Sequence, residues 1–313
     1  MKTAHLAGIT LALVGRVSAW GQVGHETIGY IAMEFLATNA AAFVKTTIPA
    51  KYNNSLGPAA PWADTVRSLS EFKWSAPFHF IDANDDPLGG SCSVEESRDC
   101  GNTGCLSTAI ANYTQRVNDP SLGATQVMEA LYFIDHFLGD IGQPLHVEAY
   151  EVGGNDIPAK CNGVSTNLHA TWDTGMIVKM VNATYNGDPQ GWAAALVEEI
   201  KAGSYKSSAA GWISCSSTTE PLSRRRTVED DVKEVLKARQ SPSQITPLAC
   251  PMVWARESNA YDCSNVFHYT NGTDLCTGTY FNTNIPVINE QIAKQGYRLA
   301  AWLNVIFDGS TGL

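Results

Sequence analysis

The chain predicts an all-α fold in a single domain, on three observations. Apolar residues recur at helical spacing, as Ile28, Ala32 and Phe35 do early on and Ile288, Ile292 and Leu299 do near the end. Strand signals are few, the clearest being residues 277–282, which read as a short hairpin arm. No repeat or compositional linker divides residues 20–200. The 313 residues, 44% hydrophobic and 17% charged, suit one large globular core.

In chain order, residues 1–19 read as a secretory leader. Lys2 supplies the positive start, residues 6–15 the apolar stretch, and Val17-Ser18-Ala19 the small residues for cleavage. That stretch is far shorter than the ~20 residues of a membrane span. Residues 20–313 then form the catalytic domain, opening with a helix over 25–36. Residues 126–141 are apolar nearly all round, which marks a buried helix. Asn167 or Ser165 caps a helix running to about Met180, and residues 190–202 and 228–239 read as two more, the latter with Thr227 as its N-cap. The closing helix, 286–307, adds Trp302, Leu303 and Ile306 to its apolar stripe and stops before Gly309. Residues 204–245, rich in Ser and Thr, read as a surface insertion. Arg224, Arg225 and Arg226 inside it read as a solvated or processed loop in preference to a phosphate contact.

Eight cysteines, all after the leader, and four Asn-x-Ser/Thr acceptors at Asn53, Asn112, Asn182 and Asn271 place the product outside the cell. Cys100 and Cys105 suit a local bridge. Cys92–Cys250, Cys161–Cys215 and Cys263–Cys276 form a trial pairing that sequence alone does not fix. The net charge of −10 becomes −12 once Lys2 and Arg16 leave with the leader, which argues against a basic polyanion-binding face. Cations focused in one cleft would still attract a polyanion locally.

The chemistry is carried by Asp135-His136-x-x-Gly139-Asp140, then His146, then His169-x-x-x-Asp173. His136 with Asp140, and His169 with Asp173, stand at i and i+4, one face of a helix. A lone histidine is more often a satisfied core residue. Here Asp140 lies in an apolar helix, and residues 126–159 contain no Lys or Arg to offset a buried carboxylate. Imidazole and carboxylate without thiolate form the ligand set of hydrolytic zinc. His25, His79, His136, His146, His169, Asp64, Asp140 and Asp173 make eight donors, too many for one open tetrahedral site. Two or three ions follow, an arrangement that favours phosphoesters. The HExxH signature of metalloproteases is missing. Cleavage after Ala19 would free the Trp20 α-amine as a further donor.

Taken in order, Trp20 with His25, Trp62-Ala63-Asp64-x-x-Arg67, Phe78-His79-Phe80-x-Asp82, the His136 to His146 run, Gly153-Gly154-Asn155 and Asn167-Leu168-His169-x-x-Trp172-Asp173 resemble the secreted, zinc-dependent, single-strand-specific nucleases of fungi and plants. Their fold is shared with bacterial zinc phospholipase C. The match is dense from Trp20 to about Met180 and thin beyond. The resemblance implies three Zn2+ ions. Asp64, His79, His136 and Asp140 hold the first; His146, His169 and Asp173 the second; the Trp20 amine and carbonyl with His25 the third, Asp140 bridging first and third. It further implies single-stranded DNA, RNA and nucleotides as substrates, 5′-phosphate products, and neither a membrane nor an obligate protein partner. Asp64 and Arg67 are the catalytic candidates, Arg67 as a clamp on phosphoryl oxygen with a salt bridge as its alternative. Phe80 offers a stacking face, Asp82 an acceptor for base amines, and Asn155 a contact beside two glycines. The rival reading is a phospholipase C-like phosphodiesterase on the same metals; a zinc-storing glycoprotein without turnover is the remaining alternative.

Overall fold

The computed structural model describes residues 20–102, 104–222 and 248–313. The leader, the 228–239 helix and the arginine triplet lie outside them. The first helix, Gln22–Met33, buries His25, Ile28, Ile31 and Ala32 on one face. That face packs against the closing helix and against the helix Pro189–Lys201, which Asp188 caps by accepting from the Gln190 N–H at 2.9 Å. Beside the first helix runs Ala124–Asp140, buried continuously from Ala130 to Asp140 as its all-round apolar sequence requires. Leu106–Val117 lies against it. The apolar side chains of these helices join in one continuous core.

The closing helix spans Gly278–Asp308, so the expected hairpin arm at 277–282 is instead its first turn. Tyr280 explains the difference. Its hydroxyl accepts from Trp172 Nε1 at 2.8 Å and donates to the Val266 carbonyl at 2.6 Å, tertiary bonds that outweigh a short strand-like pattern. Pro286 is tolerated inside the helix on an exposed position, where water can take the carbonyl left without a donor. Sheet is confined among the described residues to an antiparallel hairpin, β1 (Pro158–Cys161) and β2 (Val164–Asn167).

Cys100–Cys105 is bridged as expected, but the other three pairs are Cys92–Cys263, Cys161–Cys276 and Cys215–Cys250. Chain neighbours account for the exchange. Leu275 N–H donates to the Lys160 carbonyl at 2.8 Å, which sets Cys276 beside Cys161. Pro221 bridges Leu248, bringing Cys215 to Cys250. The start of the expected 204–245 insertion is mostly exposed but is anchored to the core. Lys206–Trp212 is a helix, Trp212 and Ile213 are buried, and the Trp212 carbonyl accepts from buried Arg298 Nε at 3.0 Å. Among the described residues no helix is long and apolar enough to cross a membrane.

Candidate metal centre

Six stretches of chain bring the predicted donors together. Ala124–Asp140 carries His136 and Asp140 at its C-terminal end, where the helix dipole is negative and favours a cation. Pro144 ends that helix and starts the turn Pro144–Val147, which presents His146. His79 closes the turn Lys73–His79, and Asp64 sits in the short helix Trp62–Val66. Asn167 Oδ1 caps Leu168–Ala170 by accepting from the Ala170 N–H at 2.7 Å. The chain then passes into a π turn, Thr171–Gly175, so His169 and Asp173 face one point. His25 arrives from the first helix, its ring stacked on His136 at 3.8 Å between centroids. Gly139 permits that approach, since a Cβ there would lie 2.9 Å from His25 Nδ1.

The donors fall into three groups, each within 4.8 Å: His25, Asp64 and His136; His79, His136 and Asp140; His146, His169 and Asp173. Backbone carbonyls fix their tautomers. His136 Nδ1 donates to Ala60 O at 2.8 Å, His146 Nδ1 to His79 O at 2.9 Å, and His169 Nδ1 to Gly153 O at 2.6 Å. In the neutral rings each Nε2 is therefore an unprotonated acceptor. His146 Nε2 nonetheless meets His169 Nε2 at 3.2 Å, with Asp173 oxygens 3.7 and 3.0 Å away. His136 Nε2 likewise lies 3.3 Å from Asp140 Oδ2. His25 Nε2 is 3.2 Å from Asp140 Oδ1, yet neither atom makes an acceptable hydrogen bond. Lone pairs facing lone pairs in a buried pocket repel one another, and a metal ion at their common focus removes the repulsion. The donor set fits zinc.

Electrostatics of the bare pocket run toward neutrality. Burial, then neighbouring imidazoles, holds His25 and His79 well below the usual histidine range. Burial and His169 do the same to His146. Burial also lowers His136, against the pull of Asp64 and the Ala60 carbonyl. His169 alone rises: burial opposes it, but the charge and hydrogen bond of Asp173 prevail. Burial drives Asp140 well above the carboxylate range, reinforced by Asp64, and raises Asp173 despite His169 and Gln143. Four of the five imidazoles, His25, His79, His136 and His146, are thereby favoured in the neutral form that ligates a metal.

A family model for S1/P1 nucleases matches residues 20–308. The chain belongs to the S1/P1 nuclease family. It is 40% identical to Nuclease P1 of Penicillium citrinum over 291 residues, covering 92% of this chain and 97% of that one. To Nuclease S1 of Aspergillus oryzae it is 38% identical over 305 residues, 96% of each chain. Endonuclease 2 of Arabidopsis thaliana is 32% identical over 302 residues, covering 93% of this chain and 91% of the plant one.

Around the histidines of this S1/P1 nuclease the remaining expected residues spread outward. Trp20 is wholly buried at the start of the first helix, and the next residue, Gly21, donates its N–H to the Asp173 carbonyl at 2.7 Å. Arg67 Nε lies 3.4 Å from Asp64 Oδ1. Phe80 is 37% exposed, and Asp82 is exposed beside it with its carboxyl raised by partial burial and by Asp99. Asn155 Nδ2 is engaged in its own turn, donating to Val152 O at 2.8 Å, while its Oδ1 is buried without a partner. Sequence reading missed the supports. Gln143, wholly buried, donates to Asp173 Oδ1 at 2.6 Å and accepts from the Leu145 N–H at 2.6 Å. Gly153, at φ 57°, turns its carbonyl onto His169, and a Cβ there would stand 2.6 Å from the Leu145 carbonyl. The Gly153-Gly154 pair signalled the second support; nothing in local sequence signalled the first.

Proposed function

We propose that this single-strand-specific nuclease is a secreted enzyme that hydrolyses phosphodiesters of single-stranded DNA and RNA at a centre of three zinc ions. It would leave 5′-phosphate ends and act also as a 3′-nucleotidase. The observation that carries the reading is the meeting of unprotonated ring nitrogens and carboxylate oxygens at shared points. Asp64, His79, His136 and Asp140 would hold one ion, and His146, His169 and Asp173 another. The Trp20 amine and carbonyl would join His25 at the third, sharing Asp140. Its 3.2 Å approach to His25 and 3.1 Å approach to His79 support that shared role. Bound zinc lowers the pKa of water toward 7 and offsets charge on phosphoryl oxygens.

The side chains supply the rest. Asp64, 10% exposed, orients the attacking water and accepts its proton. Arg67 exchanges its contact with Asp64 for a phosphoryl oxygen, a planar donor meeting an oxyanion. The exposed ring of Phe80 stacks an unpaired base, Asp82 accepts from exocyclic amines, and Asn155 Oδ1 lies open to a donor. A paired base would first have to leave its stack, which disfavours duplex.

The test uses zinc-loaded secreted protein on denatured DNA, duplex DNA, RNA and phosphatidylcholine, with the ends of the products identified. Rapid cleavage of the single strands to 5′-phosphate ends is expected. Cleavage of phosphatidylcholine in place of denatured DNA would establish the phospholipase reading. Full metal content without hydrolysis of any phosphoester would leave a zinc-holding glycoprotein.

A further inference from the structure

A cavity of about 210 Å³ lies between the turn Lys73–His79 and the helices Leu106–Val117 and Ala124–Asp140. Asn112 and Arg116 line it from one helix at i and i+4, and Gln126, Glu129 and Phe133 from the other at i, i+3 and i+7. Trp74 supplies the remaining wall. It is 50% exposed, the most exposed of the eight tryptophans. Its ring is nonetheless held: Nε1 donates to the Glu71 carbonyl at 2.7 Å, and the centroid stands 5.8 Å from that of Phe133 and 6.0 Å from that of Phe78. An indole fixed in place and left open at a cavity is a platform on which a ligand ring stacks.

The polar lining narrows the ligand. Among the described residues, the side chains of Asn112, Arg116, Gln126 and Glu129 engage in no hydrogen bond or ion pair. Amide, guanidinium and carboxylate together offer donors and acceptors, as sugar hydroxyls require, while Glu129 sets the cavity against an anionic phosphate. A sugar ring also has an apolar C–H face to lay on the negative face of an indole. The volume is below the ~300–1,000 Å³ of clefts for drug-sized ligands and suits a sugar ring. An independent feature brings the sugar there: Asn112-Tyr113-Thr114 is an Asn-x-Thr acceptor, so Asn112 is at once a wall of the cavity and a point of attachment. The acceptors at Asn53, Asn182 and Asn271 are exposed, whereas Asn112 is half-buried.

We propose that the glycan linked to Asn112 seats its first N-acetylglucosamine residues in this cavity, stacked on Trp74. The inference rests on the reading of the protein as secreted. The linkage forms when Asn112 Nδ2 loses a proton and bonds the anomeric carbon of an oligosaccharide. The bond from that carbon to its lipid pyrophosphate carrier breaks, and the carrier leaves with the electron pair. The seated sugar covers an exposed indole that would otherwise meet water, and it ties the turn Lys73–His79 to the helix that carries Asn112.

The experiment takes zinc-loaded protein secreted by a glycosylating host and maps sugar at the four acceptors by peptide mass spectrometry. The same method then follows oxidation of each tryptophan by N-bromosuccinimide in wild type, Asn112→Gln and Asn182→Gln. Trp74 should be protected in wild type and in Asn182→Gln, and should oxidise about 2–10-fold faster in Asn112→Gln, with zinc content unchanged and Tm lower by about 2–4 °C. Thr114 is left in place, because its Oγ1 accepts from Trp302 Nε1 at 2.9 Å in the core. If Asn112→Gln is not secreted, stripping the folded wild-type protein with a peptide N-glycosidase gives the same comparison. Equal oxidation of Trp74 with and without the Asn112 sugar, or an Asn112 that carries none while the other acceptors do, would overturn the seat and leave the secreted reading standing. Sugar at none of the four would remove both.

Discussion

Changing Gln143 to Glu perturbs the His146, His169 and Asp173 group without touching a ligand. The side chain is wholly buried; its Oε1 accepts from the Leu145 N–H and its Nε2 donates to Asp173 Oδ1, both at 2.6 Å. Glutamate keeps the acceptor, so the turn that presents His146 stays formed. It replaces the donor with a carboxylate oxygen facing the Asp173 carboxylate. A hydrogen bond to a charged group contributes about 1.5–3 kcal/mol. At about 1.4 kcal/mol per tenfold, that weakens one zinc ion by roughly 10–100-fold, the range seen when a group supporting a ligand is removed. The ions near Asp140 should be unaffected, because the Gln143 amide is engaged by Asp173 and the Leu145 N–H. Competition with a chromophoric chelator reads the affinities, and activity on denatured DNA should fall with occupancy and recover with excess zinc. Unchanged affinity for every ion, or equal weakening of all, would refute the role given to Gln143.

Other substitutions probe the remaining parts. A residue retained before Trp20 turns its amine into an amide, a poor zinc ligand, so metal content should drop by one ion and hydrolysis should nearly cease; full activity would remove the third ion as drawn. Asp140→Asn should release more zinc than His25→Ala, because Asp140 lies within 3.3 Å of His25, His79 and His136; equal zinc in the two variants would contradict sharing. Phe80→Ala should raise KM for single strands by about 5–150-fold, from ~1–3 kcal/mol of stacking, with zinc content unchanged. An unaltered KM would reduce Phe80 to a rim residue.

The fold class and the convergence of His136 with Asp140 were legible in sequence because both rest on short-range spacing. The buried helix Ala124–Asp140 matches its apolar run, and His136 with Asp140 followed from i,i+4 geometry. The hairpin of β1 and β2 was missed although Asn162 and Gly163, at φ 52° and 79°, form a two-residue turn of the sort that signals one. Its strands are only four residues long, too short for a period to declare itself. The disulfide partners were out of reach: Cys161 meets Cys276 only because a distant segment docks on β1, a tertiary fact with no local trace. Tyr280 shows the same limit, since its two hydrogen bonds convert a strand-like pattern into helix. The supports of the metal ligands fell between these cases. Gly153 carried a signal in its neighbour Gly154, whereas Gln143 looked like any polar turn residue until Asp173 was found 2.6 Å away.

The central claim, a trinuclear zinc centre completed by a free Trp20 amine, is tested most directly by zinc per chain in the purified secreted protein, with the N-terminus of the same sample sequenced. Close to three zinc ions with Trp20 first is the expected result. One ion or none, with Trp20 still first, would contradict it.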